Sequence, residues 1–122
     1  TYNDRYKGAK SGIYHQKMEN ILFPYLIPQA FGNHTRTQWL ELHGKHGKGV
    51  KITAKDGFDF GINPYDNLWE SWYPFQLKKS LYPALEFSYR SSGVGGTPIS
   101  VRESFRAYPA NYEFTLRLTP IE

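Results

Sequence analysis

The sequence predicts an all-β fold: an antiparallel β-sandwich, or part of a β-supersandwich. Three observations predict it. Apolar and polar residues alternate with period two in several short runs. Glycine and proline turn signals separate those runs at short intervals. Aromatic residues reach 17%, with ten Tyr, eight Phe and three Trp against a single Met, and flat or β-branched side chains suit a pleated, half-buried surface.

The elements follow in chain order. Residues 1–20 show little periodicity; 4–14 is compatible with a short helix, weakened by Gly8 and Gly12. Residues 21–27 are apolar but contain Pro24 and precede Pro28, which predicts an edge strand or an extended segment. Residues 38–43 read as a strand, with Leu40 and Leu42 on one face and Trp39, Glu41 and His43 on the other. Gly44, Gly47 and Gly49 break the chain before a second run, 50–55, in which Val50, Ile52 and Ala54 alternate with Lys51, Thr53 and Lys55. The two runs read as a hairpin. Asp56-Gly57 is a second turn signal, followed by a strand carrying Phe58, Phe60 and Ile62 and ended by Asn63-Pro64. Asp66 is placed to cap a helical turn over 67–72, closed by Pro74. Residues 84–90 predict a strand with Leu85, Phe87 and Tyr89 on one face. A glycine-rich loop covers 91–98. The alternation of Tyr112, Phe114, Leu116 and Leu118 predicts the last strand over 112–118.

The chain has 122 residues, one domain's worth. No internal repeat or linker divides it, so residues 1–122 are read as a single domain or as part of a larger one. The start at Thr1 suggests a mature fragment or an excised piece. Fifteen basic and eleven acidic residues leave a net charge of +4, spread along the chain rather than concentrated as in a nucleic-acid binder. There is no Cys, hence no disulfide framework or thiolate metal site. No apolar run approaches the roughly 20 residues that span a bilayer as a helix. Neither a nucleic acid nor a membrane is therefore an expected partner. Cytoplasm and periplasm both stay open.

Candidate chemistry is sparse, and each motif has a plain structural reading. Lys45, His46, Lys48, Lys51 and Lys55 form a basic stretch, but they occupy a turn and the polar side of a strand, with no aromatics interleaved on that face; a solvated hairpin is the plainer reading. His15, His34, His43 and His46 lack acidic residues at ligand spacing, so no metal is expected. Glu41, Asp59, Asp66, Glu70, Glu86, Glu103 and Glu113 are the candidate acids, and spacing selects no pair of them. Gly93-Val94-Gly95-Gly96 has no phosphate-loop Lys. Asn33-His34-Thr35 matches the N-glycosylation pattern. Trp69, Trp72, Tyr73 and Phe75 offer faces on which a sugar ring stacks, although packing is the plainer reading.

Several motifs occur together in a telling order. Pro24-Tyr25, Pro28-Gln29 and Gly32-Asn33-His34-Thr35 lead to Trp39. Tyr2-Asn3-Asp4-Arg5 lies upstream. Phe58-Asp59-Phe60 with Pro64-Tyr65, then Gly93-Val94-Gly95-Gly96, then Tyr112-Glu113-Phe114-Thr115-Leu116-Arg117-Leu118 follow. This order resembles the small-chain domain of glycoside hydrolase family 2 β-galactosidases over almost the whole chain. The resemblance implies the second half of a C-terminal β-supersandwich, similar in fold to galactose mutarotases. It implies a parent that hydrolyses terminal β-galactosides with two glutamates of a separate TIM-barrel domain. No Glu here matches them, so no catalytic residue is assigned, and no cofactor or metal is expected in this segment.

By the same resemblance, Gly93, Gly95, Gly96, Thr97 and Pro98 form a substrate-proximal loop. Some members carry an Asp-Ser-Trp segment after the glycine run, where this chain has Thr97-Pro98-Ile99-Ser100 and no Trp. Ala30 stands where a glutamate is usual, and Arg36 where an aspartate is common. The leading expectation is thus a non-catalytic β domain partnered by the remaining domains or large chain of its parent and by a β-galactoside. The alternatives are a free-standing carbohydrate-binding module, with Trp69, Trp72 and Tyr73 stacking on sugar, and a structural or partner-binding domain.

Overall fold

The computed structural model describes residues 11–23, 25–92 and 100–122. The motif at residues 2–5, most of the helix expected over 4–14, and Gly93 to Ile99 lie outside the described residues. The described part of that helix, residues 11–14, is irregular.

Four strands form one antiparallel sheet: β1 (His34–His43), β2 (Gly49–Tyr65), β3 (Lys79–Ser88) and β4 (Arg117–Ile121). Short 3₁₀ turns sit at Met18–Asn20, Pro74–Gln76 and Glu103–Phe105, and the described residues contain no α-helix. The all-β class is therefore as the alternation predicts. The 17-residue β2 organises the sheet. Phe60 pairs with His34 of β1 and Phe87 of β3, while Ile52 pairs with Leu40 of β1 and Leu118 of β4. A strand has two edges, so β1 occupies one edge of β2, and β3 and β4 share the other.

The predicted β1–β2 hairpin is present, with β1 starting four residues earlier than the alternation suggested. Leu40 opposes Ile52 and Leu42 opposes Val50, which places these side chains on one face. The turn closes through Gly44 N donating to the Lys48 carbonyl at 2.8 Å, with Gly47 at φ 79°. Gly49 is fixed by crowding: a Cβ there would lie 2.0 Å from the Leu42 carbonyl oxygen.

Asp56-Gly57 does not reverse the chain, which corrects the second turn expectation. β2 runs through it. Gly57 takes φ 77°, and the β1 register jumps from Thr37 opposite Phe58 to Trp39 opposite Thr53. A residue that tolerates positive φ serves a bulge as readily as a hairpin turn. Here the apolar runs on both sides of Gly57 stay paired with the same strand, so a bulge results. Arg36, facing this irregularity, also has positive φ, at 54°.

β2 also passes through Pro64 to Tyr65 instead of ending at Asn63-Pro64. The β3 register shifts between Asn63 and Tyr65, so the ladder skips the residue that has no N–H to donate. β3 begins at Lys79 and ends at Ser88, and its Leu85 and Phe87 join the apolar face as predicted. The last strand is displaced from 112–118 to Arg117–Ile121. β3 already pairs with residues 59–65 of β2, so β4 pairs with residues 49–53. Tyr112 and Phe114 lie outside the ladder and pack on Tyr89, with ring centroids 5.1 and 5.5 Å away.

Ile52, Phe58 and Phe60 form the buried core, supported by Leu40, Leu42, Val50, Ile62, Leu85, Phe87 and Leu116. Phe31 and Leu68 are buried outside that cluster. The described residues of the apolar 21–27 segment join no ladder, and residues 25–27 bend rather than run extended, so the segment is not the edge strand expected. Phe23 N donates to the Tyr65 hydroxyl at 3.3 Å, Lys79 Nζ donates to the Ile21 carbonyl at 2.7 Å, and the Phe23 ring meets Phe31 edge-on at 5.1 Å.

Candidate functional site

The loop between β2 and β3, residues 66–78, carries the aromatic stretch. No α-helix forms there, and Asn67 rather than Asp66 organises it. Asn67 Nδ2 donates to the Gln76 carbonyl and Asn67 Oδ1 accepts from Lys78 N, both at 2.9 Å. The Asn67 carbonyl accepts from Ser71 Oγ at 2.8 Å. Gln76 Oε1 accepts from the backbone N–H groups of Trp72 and Tyr73 at 2.9 and 3.0 Å. Two amide side chains thereby hold a loop whose aromatic residues are left outside. Asn67 uses both the donor and the acceptor of its amide, whereas Gln76 uses its oxygen twice as an acceptor.

These aromatics do not pack into the chain's own core. Trp69, Trp72, Tyr73 and Phe75 are 68, 79, 58 and 83% exposed. The Tyr73 and Phe75 rings stack at 5.6 Å and within 8° of parallel. Leu68, between Asn67 and Trp69, anchors the loop inward at 3% exposure. Beside Trp69, a cavity of about 20 Å³ lies among Phe31, Gly61, Leu68 and Glu86. That is room for about one water, so a sugar at this loop meets the outer aromatic faces.

The polar face of the β1–β2 hairpin carries a charged cluster. Glu41 Oε1 lies 3.1 Å from Lys51 Nζ, and Glu41 Oε2 lies 3.1 Å from His43 Nε2. His43 Nδ1 is 3.2 Å from the Gly47 carbonyl. The Gly47 carbonyl first, and then Glu41, hold the His43 imidazole above the ordinary histidine value. Lys51 first, and then His43, hold Glu41 below the ordinary carboxylate range. Lys51 also lies over the Trp39 ring, 5.2 Å from its centroid. This corrects the expectation that no aromatic interleaves on that face. Trp39 shares the alternation phase of Glu41 and His43, and counting back from the hairpin turn would have placed it opposite Thr53, beside Lys51. Lys45, His46 and Lys48 are exposed at the turn, as a solvated hairpin requires.

The remaining candidates are dispersed. His34 stacks on Phe60 at 4.7 Å, and His15 is exposed. Among the described residues, no three His, Cys, Asp or Glu side chains gather as a metal would need. Asp59 Oδ1 accepts the Arg36 N–H at 2.9 Å. Glu103 accepts from the Tyr108 hydroxyl and pairs with Arg106. Gly93, Gly95, Gly96, Thr97 and Pro98 lie outside the described residues. Asn67 and Gln76 were missed from sequence because side-chain amides that bridge a loop leave no periodic signature. Among the described residues, no helix is long and apolar enough to cross a membrane.

Comparison with known proteins adds what geometry alone does not. A family model described as the β-galactosidase small chain matches residues 1–118. The β-galactosidase BgaC of Bifidobacterium adolescentis is 33% identical over 101 residues, covering 79% of this chain and 10% of that protein. The β-galactosidase of Halalkalibacterium halodurans is 28% identical over 98 residues, covering 78% of this chain and 10% of the relative. That of Actinobacillus pleuropneumoniae is 25% identical over 122 residues, covering 97% and 12%. The chain spans about a tenth of the length of these relatives.

Proposed function

The chain belongs to the β-galactosidase small-chain family, and from that premise we propose that it is a non-catalytic, C-terminal β domain of a glycoside hydrolase family 2 enzyme. The parent hydrolyses terminal β-galactosides, and this domain supports one wall of the active site. Its sheet is one layer of a β-supersandwich completed by the remaining domains or large chain. The run Gly93, Gly95, Gly96, Thr97 and Pro98 borders the substrate. The reacting glutamates lie elsewhere in the parent, and this segment needs no cofactor or metal. A preformed wall positions substrate and excludes water without contributing a reacting group.

One observation carries this reading. Only Phe31, Ile52, Phe58, Phe60 and Leu68 are buried hydrophobics among the described residues, whereas Leu26, Leu81, Tyr82, Phe75 and Trp72 are 79–90% exposed. Exposed apolar area on this scale is what a domain presents to a covering partner. Lys51 first, and then His43, hold Glu41 below the ordinary carboxylate range, which disfavours it as a general acid.

The test is galactoside hydrolysis by the full-length polypeptide carrying Glu41→Gln, Glu86→Gln or Glu113→Gln. Each variant is expected to keep kcat within a few-fold. A single replacement that abolishes turnover while the melting temperature holds would end the non-catalytic reading.

The exposure of Trp69, Trp72 and Tyr73 favours a second reading, a carbohydrate-binding surface. It predicts quenching of Trp emission by galactose or lactose, lost in Trp72→Ala. Saturating sugar with no change in emission or heat would remove it.

A further inference from the structure

Two adjacent residues hold both flanks of the run at residues 93–99. On the near side, Ser92 Oγ accepts the Ala107 N–H at 3.0 Å. On the far side, the Val101 carbonyl accepts from Arg106 Nε at 2.9 Å. Arg106 and Ala107 thus tie together two points that stand on opposite sides of the run. Such a tie removes freedom that the two flanks would otherwise keep.

The local sequence explains how Arg106 comes to do this. Glu103–Phe105 form a 3₁₀ turn, and Arg106 N donates to the Glu103 carbonyl at 3.1 Å. With three residues per turn, side chains three apart stand over one another. Glu103 therefore faces Arg106, and its Oε2 lies 3.4 Å from Arg106 Nη1. Glu103 Oε1 accepts from the Tyr108 hydroxyl, which in turn accepts from Arg106 Nη1 at 3.4 Å. The three side chains close a ring of polar contacts, and Nε stays on the Val101 carbonyl. A guanidinium manages both because its donors are spread over a rigid fork, whereas an ammonium presents them at one nitrogen. The Tyr112 hydroxyl donates to the Tyr108 carbonyl at 2.5 Å, and the Tyr112 and Phe114 rings pack on Tyr89. The chain after the run is thereby fastened to the chain before it at two levels, Tyr89 and Ser92.

Glu103 and Arg106 are 74 and 40% exposed at their side chains, and exposed pairs add little to global stability. Their effect is local: they keep Arg106 on Val101. We propose that Arg106 is a positioning residue for the galactoside site. With Ser92 it sets the spacing of the two flanks of the 93–99 run, and so where that run stands against substrate. This rests on the placement of the run beside substrate proposed above, and it gives Arg106 no contact with the reacting atoms. A small misplacement of a positioning element changes how substrate is held without removing a reacting group.

The test makes two measurements on the full-length polypeptide: amide exchange of a peptide covering residues 92–101, and KM and kcat for lactose. Arg106→Gln and Arg106→Lys are expected to speed that exchange about two- to tenfold, the scale of one net hydrogen bond. KM is expected to rise by a similar factor while kcat holds. Ser92→Ala removes the acceptor and is expected to do the same. Ser92→Thr keeps a hydroxyl and is expected to match the unmodified protein in both measurements. If the Arg106 variants fail to fold, the two Ser92 variants decide. Unchanged exchange over residues 92–101 in Arg106→Gln and Ser92→Ala overturns the proposal. Exchange that rises equally over residues 49–53 and 117–121 also overturns it, because Arg106 is then a general structural support. Faster exchange with an unchanged KM overturns the role toward substrate, and so does a fall in kcat at constant KM. A polypeptide that hydrolyses no β-galactoside overturns the parent reading and with it that role, while the exchange measurement still decides whether Arg106 and Ser92 hold the flanks.

Discussion

His43 Nε2 lies 3.1 Å from the Glu41 carboxylate, and its Nδ1 lies 3.2 Å from the Gly47 carbonyl. Both ring nitrogens therefore meet acceptors, an arrangement that only the doubly protonated imidazolium satisfies. Because the folded value of His43 is raised, its contribution to stability is full below the ordinary histidine value and fades as pH climbs through the folded value. Because that of Glu41 is lowered, its contribution is full above the ordinary carboxylate value and fades as pH falls through the folded one. The hairpin is then best clasped between about pH 4.3 and 6.5. An NMR titration should find His43 above the ordinary value and returning toward it in Glu41→Gln. A His43 curve at the ordinary value in the parent protein contradicts the clasp. The effect on global stability should be small, since the pair is exposed and screened.

Gly49→Ala should destabilise the protein by about 1–3 kcal/mol, the usual cost of overpacking. The new Cβ would sit 2.0 Å from the Leu42 carbonyl oxygen, and backbone on both strands has to separate. Urea unfolding measures this, and an unchanged midpoint would refute the β1–β2 spacing.

Phe58→Ala should cost about 3–5 kcal/mol and Ile52→Val about 0.5–1.5 kcal/mol. These are two of the three residues in the central cluster. Phe75→Ala, at 83% exposure, should leave the midpoint within about 0.5 kcal/mol. Equal effects at Phe58 and Phe75 would contradict the assigned core.

Asn67→Ala should release the aromatic loop, with a loss of about 1–2 kcal/mol for the two side-chain hydrogen bonds. Asn67→Asp keeps the acceptor for Lys78 N and loses the donor to Gln76, so it should fall between. Faster amide exchange over residues 67–78 is the direct readout. Unaltered exchange would show that Asn67 does not hold the loop.

The hairpin was legible because two period-two runs and a glycine turn agree on one register. The bulge was not, because Asp-Gly permits positive φ without stating whether the chain reverses afterwards. That depends on which strand Phe58 pairs with, and no local pattern carries it. The displacement of β4 has the same origin: the alternation of Tyr112 to Leu118 is real, but β3 holds part of the β2 edge and Tyr112 and Phe114 pack on Tyr89 instead. The loop aromatics misled in the opposite direction. Their residue types suit a core, whereas the amide hydrogen bonds of Asn67 and Gln76 hold them on the outside of this chain.

The shared edge of β2 also sets an order of events in time. The β1–β2 turn closes over a handful of residues, whereas Thr53 meets Arg117 more than sixty residues downstream. That longer closure costs roughly 2 kcal/mol more in chain entropy. At about 5–20 residues per second of synthesis, the 49–53 edge waits several seconds for its last partner while β1 already covers the opposite side. Unpaired strand edges invite pairing with other chains. The nascent protein is thus most exposed to misassociation in that interval, and the late-arriving Arg117–Ile121 strand ends it.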